Sequence, residues 1–225
     1  MSKSKHPAAA RGPVLDRRGW LLAGTAALLI AAGGGSALYL LGRGGDPAAR
    51  PELASEHAPV LGGAEARVRV VEFIDPACET CAAFFPVVKQ LMSENPGRIR
   101  LVMRHVPFHA GVEEVVRILE ASRAQDAYWR TLEALLVEQP RWVFNHRVQL
   151  DAALQVVAAT GLDMARLAVD MRDPQVAERM QRDAADAQAL GVSKTPEYFV
   201  NGRQMPSFGR QQLVTLVRDE LRRAY

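Results

Sequence analysis

Apolar residues change their spacing along this chain in a definite order. The first stretch carries no charge at all from Gly19 to Gly42 (GWLLAGTAALLIAAGGGSALYLLG). At about 1.5 Å per helical residue, such a length crosses a hydrocarbon core of about 30 Å. Residues 43–62 show no sustained apolar period and are rich in Gly, Pro, Ala and charge, which predicts a flexible linker. The folded part is expected to begin at Arg67, because Val68, Val70, Val71, Phe73 and Ile74 form the near-continuous run of a strand buried on both faces. Phe84, Val87, Val88 and Leu91 then fall at helical offsets, so a helix follows, with Pro86 expected to interrupt and kink it. After Gly97, the alternation around Ile99, Leu101 and Met103 predicts a second strand. Strand, helix and strand at this spacing make a right-handed βαβ unit.

Helical spacing dominates the next part of the chain. Val112, Val115, Val116 and Leu119 form one stripe, and Tyr128, Leu132, Leu135 and Leu136 another. Leu150, Leu154 and Val157 follow, closed by Gly161; Met164, Leu167, Ala168 and Met171 make a shorter helix. Asp173-Pro174 is a cap followed by a first helical residue, and Gly191 is the matching stop. These stripes read as core packing, with Trp129 and Trp142 as core or cleft-wall aromatics. The chain returns to strand at Glu197–Val200, turns at Asn201-Gly202 and re-enters a short strand at Gln204-Met205. A last amphipathic helix carries Leu213, Leu216, Val217 and Leu221 on one face. The predicted architecture is a mixed α/β sheet interrupted by an all-helical insertion at about residues 111–190.

Charge adds a direction to this picture. Residues 1–18 hold Lys3, Lys5, Arg11, Arg17 and Arg18 against Asp16, a surplus of four in a chain whose net charge is +3. The rest of the chain is therefore left at about −1, with no basic face for nucleic acid. Positive charge before the uncharged stretch predicts a cytoplasmic basic tail (1–18), a transmembrane anchor (19–42), the linker (43–62) and an exported domain (63–225). A cleaved signal peptide is the competing reading, but the apolar stretch is long and no clean Ala-x-Ala site follows it. Arg17-Arg18 before Trp20-Leu21-Leu22 weakly resembles a twin-arginine signal.

The chain has two cysteines, Cys78 and Cys81, in the order Cys-Glu-Thr-Cys. A structural bridge across so short a loop removes little unfolded-state entropy. A closed zinc site needs about four ligands, and no second pair accompanies this one. Redox chemistry is the reading that remains strongest. Cys78 falls where the predicted helix begins, among unpaired N–H groups that favour a thiolate. Cys81 lies one turn further in, suited to resolve a mixed disulfide that Cys78 forms. Glu72, six residues earlier, shares a strand face with Val70 and Ile74; a carboxyl there has a raised pKa and can exchange protons with Cys81. Glu79 and Thr80 stand between the cysteines, and the Glu79 carboxylate is expected either to disfavour the thiolate or to point into solvent. His105 and His109 are two histidines without a nearby third ligand and read as surface residues rather than a metal site.

Taken together, the strand–CxxC–helix junction, the helical insertion and the run VSKTPEYFVNG resemble the DsbA-like branch of the thioredoxin superfamily over roughly residues 65–225. The resemblance implies a thioredoxin fold, with Pro86 at the kink proline and Thr195-Pro196 at the cis-proline loop that pairs with substrate. It matches Glu72 to the acidic residue that precedes the CxxC. It implies a thiol:disulfide oxidoreductase with no cofactor beyond the redox-active Cys78–Cys81 disulfide. Its partners would be cysteine-containing exported polypeptides and a membrane redox partner that recharges it. The expected setting is the inner membrane, with the catalytic domain on the periplasmic side. Residues 43–62 are too short for the dimerising domain that related isomerases use, which favours an oxidase of client cysteines or a dedicated exchange partner over an isomerase; reduction is the alternative direction, set by potential and recharging partner. Lys194 is placed to draw a carboxylate but reads as solvated. Two further readings are a copper-handling protein that uses both cysteines and a histidine, and a noncatalytic assembly factor.

Overall fold

Strand β2 (Val68–Ile74) sits at the middle of the sheet because both of its faces are apolar. The computed structural model describes residues 50–53 and 56–225. The basic tail and the expected anchor at 19–42 lie outside them. Among the described residues no helix is long and apolar enough to cross a membrane. β2 pairs in parallel with β3 (Ile99–His105), setting Glu72 opposite Met103. On its other side it runs antiparallel to β6 (Glu197–Val200), setting Glu72 opposite Tyr198. The short strands β1 (Val60–Leu61) and β7 (Arg203–Gln204) complete the order β1-β3-β2-β6-β7. The β6–β7 hairpin turns on Asn201 and Gly202, both at positive φ, as the dipeptide predicted.

Helices cover both faces, which is why β2 reads as an unbroken apolar run rather than an alternating one. One face of the sheet presents Val68, Val70, Ile74, Leu101 and Met103 to helix α1 (Glu79–Glu94) and the last helix α8 (Arg210–Ala224). The other presents Val71, Phe73, Val102 and Phe199, with Phe73 and Phe199 edge to face at 6.0 Å. Leu53, Ala187 and Val192 close over that second face. Each large side chain buried there contributes on the order of 2–3 kcal/mol of apolar transfer.

Between β3 and β6 the chain runs through α2 (Val112–Ser122), α3 (Tyr128–Val137), the single turn α4 (Gln139–Trp142), α5 (Leu150–Ala158), α6 (Met164–Asp170) and α7 (Pro174–Ala189). Asp173 caps α7 through Gln175 N–H, the start signal read from Asp-Pro. A buried polar layer ties this insertion to the sheet. Asp183 of α7 accepts from the His105 N–H at 2.8 Å, from Arg104 and from His57. Glu120 of α2 is paired with Arg179, Arg123 and His105. Burial opposes its charge, yet the His105 and Arg123 interactions hold its pKa down at about 2.

Four expectations need correction. The linker assigned to 43–62 is in part folded: Leu53 is fully buried, Val60 and Leu61 pair with β3, and His57 reaches Asp183. The ordered chain therefore begins before Arg67. Two-residue strands and isolated apolar side chains leave no period to read, and the pairing comes from the sheet they dock on. The insertion is not all-helical, since β4 (Val143–Phe144) and β5 (Arg147–Val148) form a hairpin around Asn145 and His146, both at positive φ. Pro86 does not interrupt α1, which continues through it to Glu94. His105 and His109 are not free surface residues: His105 is buried against Tyr128, at 2.9 Å, and His109 is held by Asp75.

Candidate active site

The turn between β2 and α1 is built by Asp75. Its carbonyl accepts from the Cys78 N–H at 2.9 Å and one carboxylate oxygen accepts from the Ala77 N–H at 2.8 Å. The other oxygen accepts from the N–H groups of Phe108 and His109 and contacts His109 Nδ1, at 2.7 to 2.8 Å. One buried carboxylate thus fastens the cysteine loop to the loop after β3. Asp-Pro before a helix is a turn signal that could have singled out this residue. A second fastening, from Gln139 of α4, had no sequence signal. Its Nε2 donates to the carbonyls of Pro76 at 2.8 Å and Cys78 at 3.1 Å. Gln139→Leu is expected to cost about 1–3 kcal/mol, since it strips donors from buried carbonyls. Urea unfolding measures this, and an unchanged midpoint would remove Gln139 from the site's supports.

Cys78 occupies the N-cap position of α1, with extended backbone angles, and its carbonyl accepts the first helical bond from Ala82. The two thiols are free, Cys78 at the surface's edge with 9% exposure and Cys81 with none. The pKa of Cys78 is lowered to about 5. The hydrogen bond from the Cys81 thiol does most of this, against the cost of burial, and Thr195 and the N–H groups of Cys81 and Thr80 add to it. Those two N–H groups are the unpaired donors of the first helical turn. Burial pushes Cys81 the other way, far above the ordinary thiol range, reinforced by its bond to Cys78 and by the charge of Glu72. One sulfur is an anion at neutral pH and its neighbour is a proton donor.

The other expected site residues gather around this pair, with two exceptions. Cys78 Sγ lies 3.4 Å from the Thr195 carbonyl oxygen, to which the thiol donates when it is protonated. The Thr195–Pro196 peptide is cis, and Pro196 is buried. Glu72 is fully buried on the face toward α1; burial raises its pKa to about 8, the Tyr198 hydroxyl bond restrains the rise, and the Cys78 charge adds to it. Thr80 takes part through its backbone. Glu79 is exposed, and Lys194 is exposed beside the Phe208 ring at 6.0 Å. Among the described residues no group of three His, Cys, Asp or Glu is placed to hold a metal ion.

Known proteins share this fold. The family model described as Thioredoxin matches residues 54–219. The chain belongs to the thioredoxin family. Within that family it is similar to thioredoxin-like oxidoreductases. The thioredoxin-like oxidoreductase from Silicibacter pomeroyi DSS-3 is 30% identical, with a TM-score of 0.68 over 79% of this chain and 99% of that one. BdbD from Bacillus subtilis, at 22% identity and a TM-score of 0.66, covers 75% of this chain and 95% of its own. The α-DsbA1 of Wolbachia pipientis, at 16% and 0.67, covers 77% and 96%. These last two share the thioredoxin fold with this chain. A curated relative of a different kind is the Na(+)/H(+) antiporter NhaA of Herminiimonas arsenicoxydans, 30% identical over 178 residues, which are 79% of this chain and 27% of that protein. The chain spans about a quarter of the length of the curated relatives it matches.

Proposed function

We propose that this thioredoxin-family member oxidises cysteine pairs of exported polypeptides, holding its own disulfide between Cys78 and Cys81. A client thiolate attacks Cys78 Sγ, the Cys78–Cys81 bond breaks, and Cys81 leaves as it takes a proton from Glu72. A second client thiolate then attacks the client sulfur of the mixed disulfide, and Cys78 leaves as a thiolate. The observation that carries this reading is Cys78 at the N-cap of α1 with its sulfur at the surface's edge and Cys81 buried behind it, a setting that lowers the Cys78 pKa to about 5. A low-pKa thiol is a good leaving group, and a stabilised reduced form makes the disulfide an oxidant. The value lies between those of thioredoxin, about 7, and DsbA, about 3.5. A milder oxidant than a histidine-containing relative follows, and Glu79 adds to that only as far as a solvated carboxylate reaches the sulfur.

Recharging runs the same atoms in reverse order. The Cys78 thiolate attacks a disulfide of a redox partner, and Cys81 resolves the adduct after passing its proton to Glu72. The cis-proline loop supports client binding, because the Thr195 main chain next to Cys78 can pair with an extended strand while Pro196 offers no N–H. The uncharged stretch at 19–42 behind a basic tail supports an inner-membrane anchor with the thiols on the periplasmic side, near a membrane partner. Equilibrating the full chain with glutathione tests the direction. A potential between about −270 and −120 mV is expected, together with oxidation of reduced ribonuclease faster than reduction of insulin. Rapid insulin reduction at a thioredoxin-like potential would make the chain a reductase instead.

A further inference from the structure

We propose that Tyr198 is a positioning residue for the proton step, holding the Glu72 carboxyl so that its second oxygen serves Cys81. The inference rests on the role for Glu72 given above and adds a residue that the CxxC and the cis-proline loop do not include. Glu72 and Tyr198 stand directly opposite one another in the antiparallel β2–β6 pair, both with no exposure. The Tyr198 hydroxyl donates to Glu72 Oε1 at 2.9 Å. Glu72 Oε2 is buried and has no hydrogen-bond partner among the described residues. Because a phenol donor occupies Oε1, the acid proton is left to Oε2, the oxygen with nothing else to bind. The Tyr198 ring is itself fixed, stacked on Phe84 of α1 with centroids 6.2 Å apart. Tyr198 also lies two residues past Pro196, so one short strand carries both the loop against Cys78 and the clamp on Glu72.

The groups around Glu72 leave few other ways to set its proton affinity. From α1 it faces Cys78 and Cys81, from β6 Tyr198, and from α3 Tyr128, beyond which lies His105 of β3. Its β3 neighbour is Met103, which does not titrate. A hydroxyl donor stabilises the carboxylate over the acid, so burial makes Glu72 basic enough to hold a proton and Tyr198 keeps it acidic enough to release that proton near neutral pH.

The test follows glutathionylated Cys78 as Cys81 displaces glutathione. In that step the Cys78–glutathione bond breaks, the Cys78–Cys81 bond forms, the Cys81 proton passes to Glu72, and glutathione leaves as a thiolate. Full-length reduced chain is mixed with oxidised glutathione, quenched with an alkylating agent and weighed, from pH 5.5 to 10. Formation of the adduct and its resolution are read separately. In wild type the resolving rate should rise with an inflection at about pH 8. In Tyr198→Phe that inflection should move up by about one unit or more, with resolution about tenfold slower at pH 7. Formation of the adduct should change far less. In Glu72→Gln the inflection should vanish, and adding Tyr198→Phe to it should slow nothing further. If Tyr198→Phe superimposes on wild type while Glu72→Gln loses the inflection, Tyr198 has no such role and the role of Glu72 stands. An equal slowing by Tyr198→Phe in both backgrounds overturns the proposal as well, because it marks a packing effect. If Glu72→Gln keeps the inflection, the role of Glu72 fails and takes the proposal with it.

Discussion

Replacing Cys81 by serine is expected to turn the chain into a trap that accumulates covalent adducts with its clients. Cys78 remains a thiolate near pH 7 and can still attack a client disulfide, forming the mixed disulfide as the other client sulfur leaves as a thiolate, but no second sulfur of the chain is left to displace the client. Serine is the right substitute for a physical reason. The largest contribution to the low pKa of Cys78 is the hydrogen bond donated by Cys81, and a serine hydroxyl can donate in its place. Alanine cannot, so Cys81→Ala should trap more slowly, with a Cys78 pKa shifted back toward the ordinary thiol range. Cys78→Ser removes the accessible sulfur and leaves Cys81 buried, with its proton held tightly. Turnover should then fall on the order of a thousandfold or more, with no adduct. Alkylation of cell extracts followed by non-reducing electrophoresis and mass analysis reads both outcomes. Equal adducts from the two serine variants would show that the sulfurs are interchangeable, contrary to their burial.

How much of this could be read from the residues depends on what each signal requires. The βαβ unit, the position of Cys78 at a helix start and the final hairpin were legible, because periodicity, Asp-Pro and Asn-Gly act locally. Glu72 was legible as well, since one carboxyl in an apolar run stands out against its neighbours. Tyr198 was not, although it bonds to that same carboxyl. An aromatic residue in a strand looks like core, and its hydroxyl acquires a partner only once β6 is paired antiparallel with β2 in the right register. Gln139 was hidden for a similar reason, as its target carbonyls lie about sixty residues away in sequence. His105 and His109 were misread because counting ligands ignores buried acids, and Glu120, Asp183 and Asp75 are what hold them. Residues 50–53 and 56–61 were misread because a two-residue strand has no pattern of its own.

Glu72→Gln is expected to stabilise the protein strongly at alkaline pH and hardly at all in acid. The pKa of Glu72 is raised from 4.5 to about 8 by its burial. Between those values the folded chain holds a proton that the unfolded chain has released, so stability falls as pH rises through this window and levels off above it. At about 1.4 kcal/mol per unit the loss reaches about 5 kcal/mol by pH 9. Glutamine keeps the shape and the acceptor for Tyr198 without that charge. Its melting temperature should therefore match wild type at pH 4 and exceed it by about 10 °C or more at pH 9, given about 2–4 °C per kcal/mol for a domain of this size. Cys78 has the opposite sign. Its folded pKa is depressed, so its contribution is complete above the unfolded thiol pKa and is lost as pH falls through about 5. That contribution exists only in the dithiol form. In reduced protein the two slopes oppose each other over most of the range from pH 5 to 8, whereas in the disulfide form the slope from Glu72 stands alone. Oxidised wild type should thus lose stability relative to reduced wild type as the pH rises, which is how a disulfide becomes an oxidant. Thermal unfolding of both redox forms, in wild type and Glu72→Gln, separates the two contributions. If oxidised Glu72→Gln follows wild type from pH 4 to pH 9, the buried carboxyl is not the origin of the alkaline loss.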